Sequence, residues 1–143
     1  MKKIILSLSL IACCGAAAIA QCNQTVRFIS AKTDFVNATG ATEQSKNEQT
    51  QITFNDSEMS LLVNGNVDEQ LTGNVRSVNC GWKKNNREGK TILNALLTNK
   101  KGESKNATVT MEGKDGEINM LLEVDNQPTR KLHMTAEDFA SLQ

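Results

Sequence analysis

The chain has 143 residues, of which sixteen are basic and sixteen acidic, so its formal net charge is zero. This balance does not favour nucleic acid or an anionic membrane as a partner, because both select clustered positive charge. Only four Phe and one Trp are present and Tyr is absent. Exposed aromatic platforms for sugars or single-stranded nucleic acid are therefore not expected.

The amino-terminal segment has the three parts of a secretory leader. Lys2 and Lys3 begin the chain, an apolar run covers residues 4–11, and Ala18-Ile19-Ala20 fits the small-x-small site of signal peptidase. We therefore predict a signal peptide over residues 1–20 and export to the periplasm or the extracellular space.

The leader also permits a second interpretation, in which Leu10-Ile11-Ala12-Cys13 is a lipoprotein processing site and Cys13 carries a lipid anchor. Cys13 lies unusually early for that, and cleavage there would leave an apolar mature terminus. No second apolar run approaches the ~18 residues needed to span a bilayer, so we predict no transmembrane segment.

Residues 21–143 are predicted to form one domain with a net charge of −2, which is enough chain for a sizeable core. Cleavage after Ala20 leaves Cys22 and Cys80 as its cysteines. In an oxidising compartment two cysteines most simply form one disulfide. Closing the loop between them would stabilise the fold by about 4 kcal/mol and would attach the amino terminus to the domain.

The mature sequence reads as short strands separated by turns. Alternation of apolar and polar residues is clearest over residues 107–112 and 117–124, with a turn at 113–116 between them. Further extended segments are predicted at residues 25–31, 52–54, 59–63, 75–84, 90–98 and 129–134. Asn64-Gly65 is a strong hairpin signal. Residues 38–51 are polar without periodicity and are predicted to form a loop.

This pattern predicts an all-β fold, an antiparallel meander that closes into a small up-and-down β-barrel or a rolled two-sheet sandwich. It is compatible with lipocalin-like and avidin-like architectures but lacks their motifs, so the comparison concerns architecture only. Thr135-Ala136-Glu137-Asp138 resembles a helix N-cap with acidic residues in the first turn. A short C-terminal helix is therefore expected, with Phe139 and Leu142 on the sheet.

The sequence offers no constellation for catalysis. His133, the only histidine, alternates with Leu132 and Met134 and is expected to face solvent. A general base or a metal ligand needs partners, and the carboxylates lie at turns where Asp and Glu are ordinary turn residues. We therefore predict no catalytic residues, no metal site and no cofactor.

Trp82 shares one strand face with Val78 and Cys80, so the predicted disulfide would lie beside its indole. Two roles remain open for Trp82, a core plug at one end of the barrel or a contact for a ligand. The predicted inward residues are mostly medium or large aliphatics, namely Met59, Leu61, Val63, Val109, Met111, Ile118, Met120 and Leu122. Such side chains would fill a barrel of about eight strands.

We therefore expect an exported, monomeric binding protein without a catalytic site. Its partner would be a protein that contacts the loops or a sheet edge, or else a small apolar ligand. The alternatives are an exported inhibitor of a hydrolase and a structural component of the cell envelope.

The disulfide is directly testable. Intact-mass analysis of the exported protein should give a mass lower by two hydrogens before reduction than after it, with no free thiol. Alkylation of both Cys22 and Cys80 without reduction would contradict the pairing.

Overall fold

The computed structural model describes residues 24–83, 87–127 and 130–142. It is all-β and contains nine strands within these residues, with a single 3-10 turn at Val67–Glu69. The strands are β1 (Thr25–Val36), β2 (Thr42–Phe54), β3 (Glu58–Val63), β4 (Leu71–Trp82), β5 (Gly89–Thr98), β6 (Ser104–Lys114), β7 (Glu117–Val124), β8 (Lys131–Thr135) and β9 (Asp138–Leu142). The predicted signal peptide, Cys13 and Cys22 lie outside the described residues.

The first eight strands form a closed antiparallel barrel. Strands β2 to β8 pair in sequence order, and β1 joins the two ends because it pairs with both β2 and β8. The predicted barrel is thus confirmed, and the sandwich alternative is not. β9 lies outside this closed set and pairs with the first half of β1, over Thr25 to Ile29.

The barrel interior is filled by side chains that alternate along the strands. Of the eight predicted inward aliphatics, seven are buried and Val63 packs against them half-buried. The space beside Trp82 at one end of the barrel is only about 10 Å³, near the lower limit for one water molecule. The other end, where β1 turns into β2 and β5 into β6, is here called the open end.

The predicted loop over residues 38–51 is wrong, because most of it belongs to β2. Strand β2 pairs with β1 from Thr42 to Phe54 and completes a long hairpin. Its first six residues are exposed, so no apolar alternation marks them in the sequence. Their extended conformation instead follows from backbone pairing with β1.

The predicted C-terminal helix is also wrong, since Asp138–Leu142 forms strand β9. The Thr135 hydroxyl does not cap a helix but donates to Asn119 Oδ1 at 2.8 Å on the neighbouring strand β7. Five residues cannot make a stable helix alone. Pairing with β1 satisfies their backbone, places Phe139 opposite Phe28, and lets Arg27 Nη2 bond Asp138 Oδ2 at 2.9 Å.

The closed end depends on a glycine over which the Trp82 ring packs. A Cβ on Gly113 would lie 2.4 Å from Arg87 O and 2.6 Å from Trp82 Cζ3. Gly113→Ala should therefore lower the free energy of unfolding by about 1–3 kcal/mol, the usual cost of overpacking, in urea denaturation.

Gly81→Ala, on β4, is the matched control. A Cβ there would have only Lys90 O near it, at 4.0 Å. Its stability should change by no more than about 0.5 kcal/mol. Equal effects of the two substitutions would contradict this account of the closed end.

Candidate functional site

The open end presents a strand edge that the barrel does not cover. β3 pairs with β2 only from Thr50 to Phe54, whereas β1 pairs with β2 up to Thr42. Among the described residues, positions 42–48 of β2 therefore have a strand partner on one side only. We call this run the β2 edge. At about 3.4 Å per residue it extends roughly 23 Å past the end of β3.

Asn64 defines where the β2 edge begins. Its backbone N–H donates to Gln49 O at 2.7 Å, and its side-chain Oδ1 accepts from Gln49 N at 2.8 Å. One residue thus satisfies both backbone groups of Gln49 and ends the ladder. Asn64 and Gly65 have φ of 49° and 67°, so the chain turns away here and exposes the rest of β2.

The distal end of the same hairpin is held by Asn37. Its backbone N–H donates to Ala41 O at 2.9 Å. Its side-chain Oδ1 accepts from Thr39 N and Ala41 N, both at 3.0 Å, and from the Thr39 hydroxyl at 2.7 Å. The β2 edge is therefore fixed at both ends by asparagine side chains.

On the outer face, the β2 edge carries a polar cluster centred on Asp34 of β1. Ser45 Oγ donates to Asp34 Oδ1 at 2.5 Å, and Lys32 Nζ lies 3.0 Å from the same oxygen. His133 Nδ1 on β8 lies 3.9 Å from Asp34 Oδ2. The hydrogen bond from Ser45, followed by that from Lys32, lowers the pKa of Asp34 below its ordinary value of 3.8.

This cluster contains a serine, an aspartate and a histidine, but not in the order that activates a nucleophile. A catalytic triad needs the serine bonded to the histidine and the histidine to the carboxylate. Here Ser45 and His133 flank Asp34 from opposite sides, in register on β2 and β8. The arrangement instead holds three neighbouring strands together at the open end.

On the inner face of the same three strands, two cations flank Phe35. Lys46 Nζ of β2 lies 5.1 Å from the centre of the ring, and Arg130 Cζ lies 4.7 Å from it. Cation–π contacts of this kind at exposed sites contribute about 0.5–1 kcal/mol each. They also fix the direction of the Lys46 side chain, which points over the ring.

An apolar cup lies at the mouth of the barrel on the opposite wall. Leu71, Leu97 and Val124 line it, and Asn99, Glu103 and Lys105 complete the lining. Its volume is about 400 Å³, and it opens to solvent. Ligand pockets begin at about 300 Å³, so the cup could hold part of a small apolar molecule.

Trp82 lies at the closed end, far from these features in the strand register. It is buried, its Nε1 donates to Thr91 Oγ1 at 2.6 Å, and its ring stacks on Phe139 with centroids 5.8 Å apart. This geometry supports the core-plug interpretation. Cys80 precedes it on the same face and its Sγ accepts from Thr91 Oγ1 at 3.5 Å. The Cys22–Cys80 disulfide stays a prediction.

His133 faces outward on β8, as expected, but it is half-buried beside Asp34 and not freely solvated. Among the described residues, no group of three His, Cys, Asp or Glu side chains could hold a metal ion. Within the same residues, no helix is long and apolar enough to cross a membrane.

Comparisons with known protein families, with curated proteins and with solved structures find no match. We therefore infer function from the geometry of the chain itself.

Sequence reasoning missed the β2 edge, the Asp34 cluster and the cation-flanked Phe35. All three lie on the β1–β2 hairpin, for whose second strand the polar sequence predicts a loop. A usable signal was the polar run itself: residues 42–49 contain no Gly or Pro, which a long loop would normally include. Asn37 and Gly40, placed just before that run, mark a hairpin turn.

The Asp34 cluster should make stability depend on pH. Because the pKa of Asp34 is lower in the folded than in the unfolded chain, its contribution is present above pH 3.8 and is lost as the pH falls through the folded-state pKa. Ser45→Ala removes the strongest cause, so the pKa of Asp34 should rise towards 3.8 in an NMR titration. The loss of stability in the variant should be larger at pH 7 than at pH 2.5.

Asn47→Ala is the control, since Asn47 lies on the same strand and outer face but has no bond to Asp34 among the hydrogen bonds described above. It should leave the pKa of Asp34 unchanged. A Ser45→Ala variant with the wild-type Asp34 titration would show that Ser45 does not set this pKa.

Proposed function

We propose that this chain is an exported binding protein, without a catalytic site of its own, that captures a protein partner by strand addition at the β2 edge. One observation carries the proposal: within the part of the chain that the structure describes, seven residues of β2 have a strand partner on one side only, at the open end. Extended segments bind such edges through main-chain hydrogen bonds. The filled interior further supports binding at the surface of the barrel.

The hydrogen bonds at the two ends of the β2 edge support a role for this edge in binding. Asn64 and Asn37 hold the two ends of the run, so it is presented in a fixed conformation. Preorganisation of this kind reduces the entropy that binding must overcome. The outer side chains at the centre of the run, Ser45 and Asn47, are short and polar, which lets another backbone approach closely.

A second candidate function is binding of a small apolar or amphipathic molecule in the cup at the barrel mouth. The apolar contacts of Leu71, Leu97 and Val124 favour it, and Lys105 at the rim could pair with an anionic group. The cup ranks second because it is open and because the side chains beneath it fill the barrel. The inhibitor and envelope hypotheses stay predictions from the sequence.

The proposal is tested by site-directed photo-crosslinking in the cells that produce the chain. A photo-reactive phenylalanine at Asn47, on the β2 edge, should give a covalent adduct with a protein partner. The adduct can be identified by mass spectrometry.

Glu112 is the control position, because it is also exposed on the outer face but lies on β6, which has paired neighbours on both sides. It should give little or no adduct. Equal labelling from both positions, or none from Asn47, would contradict strand addition at the β2 edge.

A further inference from the structure

We infer that the strand added at the β2 edge is the β2 edge of a second copy of this chain, so that the protein forms a two-fold symmetric dimer with one continuous sheet across it. This dimer rests on the proposed function, strand addition at the β2 edge, and identifies the partner. It replaces the monomer that the sequence led us to expect.

The first step identifies the groups that face the partner. Gln49 directs its N–H and C=O away from β1, towards Asn64. The β1–β2 register shifts between the Ser30–Thr50 and Lys32–Asn47 pairs, so the direction beyond the shift is taken from Lys32, whose N–H and C=O are both bonded to Ser30 Oγ. Asn47, opposite Lys32, and Ser45, two residues away, therefore present their backbone groups to the unpaired side. The short Ser45–Asp34 contact agrees with this, because side chains lie closer in pairs that are not bonded through the backbone.

The second step selects the register. A two-fold axis perpendicular to the sheet pairs the two copies antiparallel, with outer-face residues opposite outer-face residues. Centring the axis on Ser45 places Ser45 opposite itself and Asn47 opposite Glu43 of the other copy. On the inner face, Lys46 then lies opposite Gln44 and Glu48 opposite Thr42. No charged side chain lies directly opposite a like charge.

The neighbouring registers are each obstructed. A two-fold axis through Glu43 or Lys46 would place that charged side chain directly opposite its own copy in the other chain. Like charges in directly opposite positions destabilise strand pairing. An axis on Asn47 would require the backbone of Gln49, which Asn64 already holds. An axis on Gln44 would require the backbone of Ala41, whose N–H and C=O are bonded to Asn37.

Lys46, the residue that could best prevent pairing at this edge, points away from it. Lysines on exposed edge strands commonly prevent pairing with other chains. Lys46 is the only lysine of the β2 edge, and its ammonium lies over Phe35 on the inner face. The outer face at the centre of the run therefore carries only Ser45 and Asn47, both small enough to meet a second sheet edge.

Cysteine crosslinking tests the register. In the inferred dimer the two copies of residue 45 have Cα atoms about 5.5 Å apart, within the range of a disulfide. The two copies of residue 47 lie four positions out of register, roughly 14 Å apart. Ser45→Cys should therefore give an interchain disulfide under mild oxidation, mapped by peptide mass spectrometry, whereas Asn47→Cys should not.

Sedimentation equilibrium tests the association without relying on a cysteine. The wild-type chain should sediment as a concentration-dependent dimer. Asn47→Pro should raise its dissociation constant at least about tenfold, because proline removes an edge N–H. The barrel itself should be retained in circular dichroism, since that N–H faces away from β1.

Three results would overturn the dimer: a wild-type monomer at all concentrations, equal crosslinking of the two cysteine variants, or no crosslinking of either. The photo-crosslinking experiment keeps this failure separate from that of the proposed function. A different protein captured at Asn47 by a monomeric chain would remove the dimer and leave strand addition in place. A monomeric chain that captures nothing would remove both.

Discussion

The fold depends on β1, because this strand pairs with three others. This one strand pairs with β2 along one side, and along its other side with β9 over its first half and with β8 over its second half. Without it strands β2 to β8 would form an open sheet with free edges at β2 and β8. The register between β1 and β2 shifts after Ser30, and such bulges bend and twist a strand. The two halves of β1 can thus follow different parts of the barrel wall.

The candidate site is a consequence of the same arrangement. β1 and β2 are twelve and thirteen residues long, whereas β3 has six. β3 therefore pairs with β2 only near the closed end. Towards the open end, β2 is paired with β1 alone. The Asp34 cluster on one face and the Phe35 cations on the other then stabilise the exposed part of the hairpin from both sides. Support on both faces is what an edge needs to remain extended without a second neighbour.

Much of the barrel could be predicted because its later strands bury one face. Ala107, Val109 and Met111 recur at every second position of β6, as Ile118, Met120 and Leu122 do on β7, and all six are buried. β2 could not be predicted in this way, because its first six residues are exposed on both faces and carry no periodicity. For β9 the local signal pointed to a helix, and pairing with β1 overrode it. In both cases a distant strand, not local sequence, sets the conformation.

The candidate site was missed for the same reason. Asp34, Phe35 and Lys46 are unremarkable in the sequence, and their contacts appear only when β1, β2 and β8 are adjacent. The closed end was easier, since Trp82 and Cys80 lie on one predicted strand with an apolar neighbour at Val78. The open end combines groups that are up to about a hundred positions apart, such as Asp34 and His133.

The pairing of β1 with β8 and β9 also determines when the barrel can finish folding. Arg27 and Asp138 bond across 111 positions, so the first strand cannot complete its pairing until the last one is available. Folds dominated by such distant contacts acquire their structure slowly, in milliseconds to seconds. For a chain that we expect to cross a membrane through a narrow channel, slow closure is useful. If the chain is exported as we propose, the barrel closes only after β9 has left the channel, so the polypeptide passes through it unfolded.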